Sequence, residues 1–195
     1  MKLGLTGGIG CGKSTVVGLF SSNGWRTLET DAIVRDLLSN DSGVAVALRE
    51  RWGAAVFDEQ GALDRRAIAK RVFGTTAEIQ WLEHLLHPMV RQAWVTELNR
   101  APDADWLVEI PLLFEKRLET HFDFIVCVIS PPAVVEDRMV ARGYTGAEIE
   151  QRRQRQMPLE EKARRSDFVI SNAGSLEFLN LQTTRLIDLL TRKSL

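Results

Sequence analysis

A glycine-rich stretch near the N-terminus constrains this chain more than any other part of its sequence. Residues 7–14, Gly-Gly-Ile-Gly-Cys-Gly-Lys-Ser, fit the pattern G-x-x-x-x-G-K-[ST] at every fixed position. Residues 2–6 predict a short buried strand before the loop, and residues 15–20 predict a helix after it. Because this arrangement directs backbone N–H groups and a helix N-terminus at one anion, the stretch predicts a site for nucleotide phosphates.

Two side chains of this loop have distinct predicted roles. The Lys13 ammonium can reach the β- and γ-phosphates of a nucleoside triphosphate, and the Ser14 hydroxyl can ligate Mg²⁺. The other loop residues contribute mainly through their backbone. The predicted nucleotide-binding residues of the loop are Gly8, Gly10, Cys11, Gly12, Lys13, Ser14 and Thr15.

The composition is that of an ordinary globular protein and excludes several functions. With 195 residues, 45% of them hydrophobic, the chain predicts one domain with at most a smaller subdomain. A formal net charge of −1 argues against nucleic acid as a partner. No apolar run reaches eighteen residues, so we expect no membrane span, and we expect no signal peptide. Two cysteines, Cys11 and Cys127, fit a reducing cytoplasm.

An aspartate follows the second predicted strand, residues 26–29. Asp31 precedes a segment with helical spacing, so it lies where a strand gives way to a helix. In an open α/β sheet that edge binds ligands, which favours a functional carboxylate. Aspartate is also a common helix N-cap, and the spacing alone leaves both interpretations open.

Residues 42 to about 100 show helical periodicity and little strand signal. We predict four helices, the third and fourth of them separated at His87-Pro88, because proline removes a helix donor and fits best at a helix start. The second of these helices is predicted over residues 65–73. An all-helical block between two strands indicates an inserted lobe.

The second half of the chain returns to alternating strands and helices. Strands are predicted at residues 106–110, where the strand ends in an acid, and at 125–129 and 167–170. Ser130 is expected to cap the next helix with its hydroxyl, and that helix carries Arg138 and Arg142 on one face. The order of elements predicts an α/β fold, a parallel sheet flanked by helices.

Residues 143–165 are rich in arginine, with interleaved acids. Such a segment is typical of a solvated helical surface. In a protein with a phosphate-binding loop it can equally form a mobile lid, in which Arg138 or Arg152 would meet the transferring phosphates. Because the chain contains no guanine-reading Asn-Lys-x-Asp stretch, these parts favour a small-molecule kinase that closes to exclude water.

Several motifs make the sequence similar to the dephospho-coenzyme A kinase family over nearly the whole chain. Residues 4–14 match the opening of the family, except that Cys11 replaces serine. Residues 29–35, Glu-Thr-Asp-Ala-Ile-Val-Arg, resemble its Asp-x-Asp-x-(Ile/Val)-x-Arg element. Further similar segments lie at residues 63–65, 72–73, 85–88, 111–115, 156–162 and 166–174.

The resemblance implies a P-loop nucleoside-triphosphate-hydrolase-like fold for the single domain of residues 1–195. Its core would comprise residues 1–40, 105–140 and 166–195, with a helical coenzyme-binding insert at about 41–104 and a lid at about 141–165. It also implies a cytoplasmic enzyme of coenzyme A biosynthesis that uses ATP and Mg²⁺. The oligomeric state is left open, with a monomer as the expectation.

The resemblance also implies a reaction and a role for each matching residue. The γ-phosphoryl group of ATP would pass to the 3′-hydroxyl of dephospho-coenzyme A, with Asp31 orienting that hydroxyl and accepting its proton. Lys13 and Arg138 would stabilise the transferring group. Arg142, Asn172 and Gly174 would contribute to the ATP site, whereas Arg35, Arg65, His87 and Arg152 would serve the substrate. His87 can equally be a helix-capping side chain.

Two departures from the family pattern raise further hypotheses. Glu29 stands where aspartate is common, and it either serves water ligands of Mg²⁺ or only ends a strand. Cys11 is either a neutral replacement or a redox-sensitive thiol, since a helix N-terminus can lower a thiol pKa. The alternative functions are a nucleoside monophosphate kinase, whose acceptor phosphate would need arginines rather than Asp31, and a non-catalytic ATP-binding module.

Overall fold

A computed structural model of the chain describes residues 1–72 and 75–192, without the side chain of Arg192. Strands and helices alternate at both ends, and helices alone fill the middle. The elements are β1 (Lys2–Gly7), α1 (Lys13–Ser22), β2 (Arg26–Glu29), α2 (Thr30–Asn40), α3 (Ser42–Trp52), α4 (Arg65–Val72), α5 (Thr76–Arg100), β3 (Trp106–Glu109), β4 (Phe124–Ile129), α6 (Pro132–Ala141), α7 (Gly146–Gln154), α8 (Leu159–Arg165), β5 (Phe168–Ser171) and α9 (Leu176–Arg192). The predicted helix end and family mark at Phe73 and the predicted core end at 193–195 lie outside the described residues.

The five strands form one sheet in the order β2-β3-β1-β4-β5. Strand β1 pairs in parallel with β3 and β4, and β4 pairs in parallel with β5. Strands β1, β3 and β4 are almost entirely buried, which explains their continuous apolar sequences. The predicted parallel α/β sheet is confirmed, and the loops after its parallel strands share one edge.

The chain divides into two compact units, residues 1–28 with 103–195 and residues 29–102. The first unit contains the sheet, and its core packs α1 and α9 against it through Phe20, Val16 and Leu190. The second unit is helical, and its core joins α2, α3, α4 and α5 around Val44, Leu48 and Leu86. We predicted the helical insert to begin near residue 41, whereas the structure groups α2 with the helical unit.

The prediction of a helix break at His87-Pro88 is wrong, because α5 runs without interruption from Thr76 to Arg100 with Pro88 inside it. A proline within a helix costs about 3 kcal/mol, since it lacks a hydrogen-bond donor and crowds the preceding turn. The buried residues of α5 recur every four positions on both sides of Pro88, at Leu86, Val90, Trp94 and Leu98. Burial of this continuous stripe offsets the proline.

None of the helices in the described parts of the chain is long and apolar enough to cross a membrane. Helix α5 has 25 residues, but charged and polar residues occur along its length.

Candidate active site

The loop between β1 and α1 has a backbone that favours glycine, most clearly at Gly7 and Gly12, where neighbouring atoms leave no room for a side chain. Gly7 has φ +146° and Gly12 has φ +86°, both in the left-handed region. A Cβ on Gly7 would lie 2.3 Å from the Val128 carbonyl oxygen. A Cβ on Gly12 would lie 2.1 Å from Asn172 Nδ2. The Val128 carbonyl and the Asn172 side chain therefore lie directly against the loop and restrict its backbone.

Lys13 begins α1 and is held over the loop by two oxygens. Its Nζ donates a hydrogen bond to the Gly8 carbonyl at 3.2 Å and lies 3.7 Å from Glu109 Oε1. The Lys13 and Glu109 side chains are only 10% and 8% exposed, so their attraction is weakly screened by water. The ammonium group thus lies at the mouth of the loop, where a phosphate would bind.

Glu109 was missing from the residues predicted for this site. It ends β3, directly beside β1 in the sheet, and pairing places it opposite Leu5. The sequence contains a signal for this residue, because the predicted apolar strand ends in an acid. It does not show that the acid lies beside Lys13. The order β3-β1 brings this carboxylate to Lys13.

Ser14 and Thr15 occupy the first turn of α1, and both are exposed. The Ser14 hydroxyl therefore faces away from the protein core, and the Glu109 carboxylate lies beside the neighbouring Lys13. Hydroxyl and carboxylate oxygens are the donors that Mg²⁺ prefers. These two residues fit the ligand set of a magnesium ion.

A buried network of hydrogen bonds supports the other side of the loop. The Asn172 side chain donates from Nδ2 to the Cys11 carbonyl at 2.9 Å. The Ser130 hydroxyl lies 2.9 Å from the Asn172 carbonyl and 3.3 Å from the Cys11 carbonyl. The turns after β4 and β5 are thereby joined to the phosphate loop.

The expectation that Ser130 caps a helix is wrong. Helix α6 has Pro131 at its N-cap, without a side-chain cap bond, and Ser130 bonds to the loop network instead. Pro131 occupies the N-cap position, so Ser130 lies one residue too early to cap, and the proline ring has no oxygen that could accept a bond in its place. Spacing alone did not distinguish a cap from a long-range bond.

Arg138 on α6 completes this network. Its guanidinium donates to Ser130 Oγ at 3.1 Å and to the Asn172 carbonyl at 3.2 Å. It also bonds to Asn172 Oδ1 at 3.3 Å. The structure therefore brings together the predicted residues Cys11, Gly12, Arg138 and Asn172. Arg142 at the C-cap of α6 and Gly174 are exposed.

The Cys11 thiol does not have the lowered pKa that we hypothesised. The residue is only 1% exposed, and burial raises the pKa of its thiol although nearby Lys13 acts in the opposite direction. Burial also raises the pKa of the Cys127 thiol, to about 11. Cys11 therefore packs as a small apolar side chain beneath the loop.

The helical unit carries the remaining predicted substrate residues. Asp31 and Arg35 lie four positions apart on α2 and are both exposed. Asp31 is in the first turn of α2, whereas the N-cap position belongs to Glu29, which makes no side-chain cap bond. Arg65 is exposed at the start of α4, and His87 is half-buried within α5. His87 therefore lies inside a helix and not at a helix start.

The arginine-rich segment contains two helices of different character. Helix α7 has an N-terminal capping box between Thr145 and Glu148 and buries only Ile149. Its Arg152 lies over the ring of Tyr144, 5.0 Å from the centroid. Helix α8 instead buries Lys162, which is 0% exposed. The predicted lid thus spans one largely exposed helix and one that is partly in the core.

Comparisons with known proteins identify the family. The sequence profile described as dephospho-CoA kinase matches residues 1–177. The dephospho-CoA kinase of Aquifex aeolicus is 32% identical over 192 residues, which cover 98% of each protein. That of Anaeromyxobacter dehalogenans is 38% identical over 189 residues, 95% of this chain and 90% of the relative.

The chain belongs to the dephospho-CoA kinase family.

A solved structure shares the fold of this chain. The crystal structure of a Thermus thermophilus protein has a TM-score of 0.81 to this chain, with 36% identity and coverage of 97% of each chain. The family resemblance inferred from the motifs is therefore confirmed, and so is the class of enzyme, an ATP-dependent kinase. The roles of single residues stay predictions.

The buried position of Cys11 predicts that this protein resists thiol modification. We expect a maleimide or disulfide reagent near pH 8 to label the folded enzyme slowly, with or without ATP, and to leave its activity unchanged. The measurement is the labelled fraction over time by intact-mass spectrometry. Urea-unfolded enzyme is the control and should label both cysteines quickly. Rapid labelling of one thiol that ATP prevents would contradict the prediction.

Proposed function

We propose that the protein transfers the γ-phosphoryl group of ATP to the 3′-hydroxyl of dephospho-CoA, giving CoA and ADP in the final step of CoA biosynthesis. The observation that carries the proposal is the extent of the family match. It covers residues 1–177 and therefore includes both the phosphate loop and the helical unit of residues 29–102. An enzyme that joins two substrates needs a site for each of them.

The ATP side of the reaction is assigned to the sheet-containing unit. Backbone N–H groups from Gly8 to Thr15 bind the phosphates, and Lys13 moves from the Gly8 carbonyl to the β- and γ-phosphates. Ser14 and Glu109 would hold Mg²⁺, which supplies positive charge to the phosphate oxygens when bound. Asn172 and Gly174, after β5, form the adenine side of the site.

The acceptor side is assigned to the helical unit. Asp31 orients the 3′-hydroxyl and accepts its proton, while Arg35, Arg65 and His87 contact the remaining parts of dephospho-CoA. All four belong to residues 29–102. In a loose transition state the attacking oxygen carries little bond order, so orientation by Asp31 contributes more than its basicity.

Arg138 and Arg152 are assigned to stabilise the negative charge on the transferring phosphoryl group. Arg152 is placed on the largely exposed α7, where closure of the helix can bring it to the phosphates. Arg138 is near the loop already, since its guanidinium nitrogen is 3.7 Å from where a Gly12 Cβ would lie. Its bonds to Ser130 and Asn172 hold it there, so it stabilises charge without a large movement.

A substrate comparison tests the proposed reaction. We expect ATP-dependent ADP release in a coupled assay with dephospho-CoA, and little release with AMP, GMP or UMP. A phosphate acceptor would require arginines where α2 presents the Asp31 carboxylate. Turnover with a monophosphate alone would establish the nucleoside monophosphate kinase alternative. Tight ATP binding without turnover of any acceptor would establish the non-catalytic module.

The location and assembly of the enzyme are further parts of the proposal. We infer a cytoplasmic enzyme, because both cysteines are unpaired and buried and CoA biosynthesis uses soluble nucleotides. We infer that the enzyme is a monomer. We expect it to bind dephospho-CoA and to bind neither nucleic acid nor a membrane. Light scattering on the purified protein measures its mass against the 21.9 kDa of one chain.

A further inference from the structure

A buried lysine in the arginine-rich segment has no role in the reaction described above. Lys162 on α8 is 0% exposed, and taking an ammonium group out of water costs several kcal/mol. Its Nζ donates to the Pro111 carbonyl at 2.6 Å and lies 2.9 Å from Glu115 Oε1. Burial lowers the pKa of Lys162, and the bond to Glu115 opposes that shift.

Each acceptor of Lys162 also binds a second segment of the chain. The Pro111 carbonyl accepts a hydrogen bond from Thr6 Oγ1 at 3.3 Å, and Thr6 directly precedes the phosphate loop on β1. Glu115 Oε1 accepts from the Met157 N–H at 2.7 Å, between α7 and α8. Lys162 therefore lies where the strand of the phosphate loop, the turn after β3 and the junction of α7 with α8 meet.

Other contacts fix α8 to the same part of the structure. Arg165 forms an ion pair with Glu119 at 2.7 Å and lies over the Phe114 ring, 4.5 Å from its centroid. Leu159 packs on the loop, with Cδ2 3.5 Å from where a Gly8 Cβ would lie. These contacts join the first and last turns of α8 to the phosphate loop and to the turn after β3.

Helix α7 has a different set of contacts. Its ion pair, Arg153 with Glu150, is exposed and lies within the helix, and its capping box is also internal. These bonds stay within the helix and its N-cap. Ile149 is the one buried residue of α7 and packs in the core of the sheet-containing unit, and Arg152 lies over the Tyr144 ring. The contrast distinguishes α8, whose ion pairs reach distant segments, from α7, whose ion pair is local.

We propose that Lys162 and Glu115 are a positioning pair for phosphoryl transfer, which fixes the α7–α8 junction on the strand that carries the phosphate loop. Neither residue touches a substrate. The pair determines where the C-terminal end of α7 is held, and thereby where Arg152 arrives when the helix closes over the phosphates. Glu115 Oε2 is buried without a hydrogen-bond partner, so Glu115 depends on Lys162 for compensation of its charge.

Three variants separate positioning from stability. Lys162→Met leaves Glu115, whose side chain is only 17% exposed, without its cation, so we expect a lower melting temperature and a kcat reduced about 10²-fold. In Lys162→Met/Glu115→Gln the buried charge is gone, and we expect the melting temperature to recover while kcat stays low. Arg164→Met is the matched control on α8, because Arg164 pairs with Glu161 at the exposed surface, and it should change neither quantity.

The outcome for the double variant decides between the two roles. A double variant with both the wild-type melting temperature and the wild-type kcat would show that the pair is merely structural. Hydrogen exchange of the unmodified enzyme gives a test that needs no variant. Amides of residues 159–165 should exchange at least about tenfold more slowly than those of 146–154. Equal rates for the two helices would overturn the proposal.

Discussion

Replacing Asp31 by asparagine is expected to lower kcat by about 10²- to 10⁴-fold, the range that a positioned general base contributes. Asparagine keeps the size of the side chain, but it cannot take the proton of the 3′-hydroxyl. It also orients that hydroxyl less well, because its amide has one acceptor oxygen and an NH₂ donor in place of two acceptor oxygens. ATP affinity should stay close to that of the unmodified enzyme, because the phosphate-binding residues belong to residues 7–15, outside the helical unit that contains Asp31. The measurement is kcat from coupled ADP release, together with the dissociation constant of a non-hydrolysable ATP analogue.

Asp36→Asn is the matched control for this experiment. Asp36 lies on the same helix, is exposed, and accepts a hydrogen bond from Asn40 at 2.7 Å. It lies five positions from Asp31, so it belongs to a different face of α2. We expect this variant to retain kcat. If Asp31→Asn also retained kcat within about tenfold, a general-base role for Asp31 would be excluded.

Replacing Lys13 by methionine is expected to lower kcat/KM for ATP by about 10²- to 10³-fold, as the loss of one positioned charge on a transition state does. Methionine fills a similar volume without the ammonium group. The variant should also be less stable, because the Glu109 side chain is only 8% exposed and would lose a neighbouring cation. The measurements are ATP-dependent kinetics and thermal melting.

Adding Glu109→Gln to the Lys13→Met variant separates these two effects. The double variant has no buried charge at this position, so we expect it to regain melting temperature without regaining turnover. Recovery of turnover in the double variant would mean that Lys13 only compensates Glu109. Glu109→Gln alone should raise the Mg²⁺ concentration needed for half-maximal activity if Glu109 holds the metal as proposed.

Much of the fold was predictable because the information is local. Strand β2 was predicted at its observed bounds from its place after the Asn23-Gly24 turn. Strands β4 and β5 were predicted within one residue at each end, since short apolar runs between turns specify such strands. The long helix α5 was not predicted as one element. A break at Pro88 follows from local chemistry, whereas the buried stripe from Leu86 to Leu98 that overrides it depends on packing against α2 and α4.

The sequence by itself determined the family, the parallel α/β fold and the ATP-binding loop. Those depend on residues adjacent in the chain, such as Gly12, Lys13 and Ser14, whose backbone and side chains act on one ligand. Only the tertiary structure decided which distant residues support that loop. Glu109 and Ser130 lie about 100 or more positions away from it in sequence, and the strand order brings them to it. The same packing buries Cys11 as a small apolar side chain. The pKa of its thiol is raised, because the effect of burial outweighs that of the nearby positive charges.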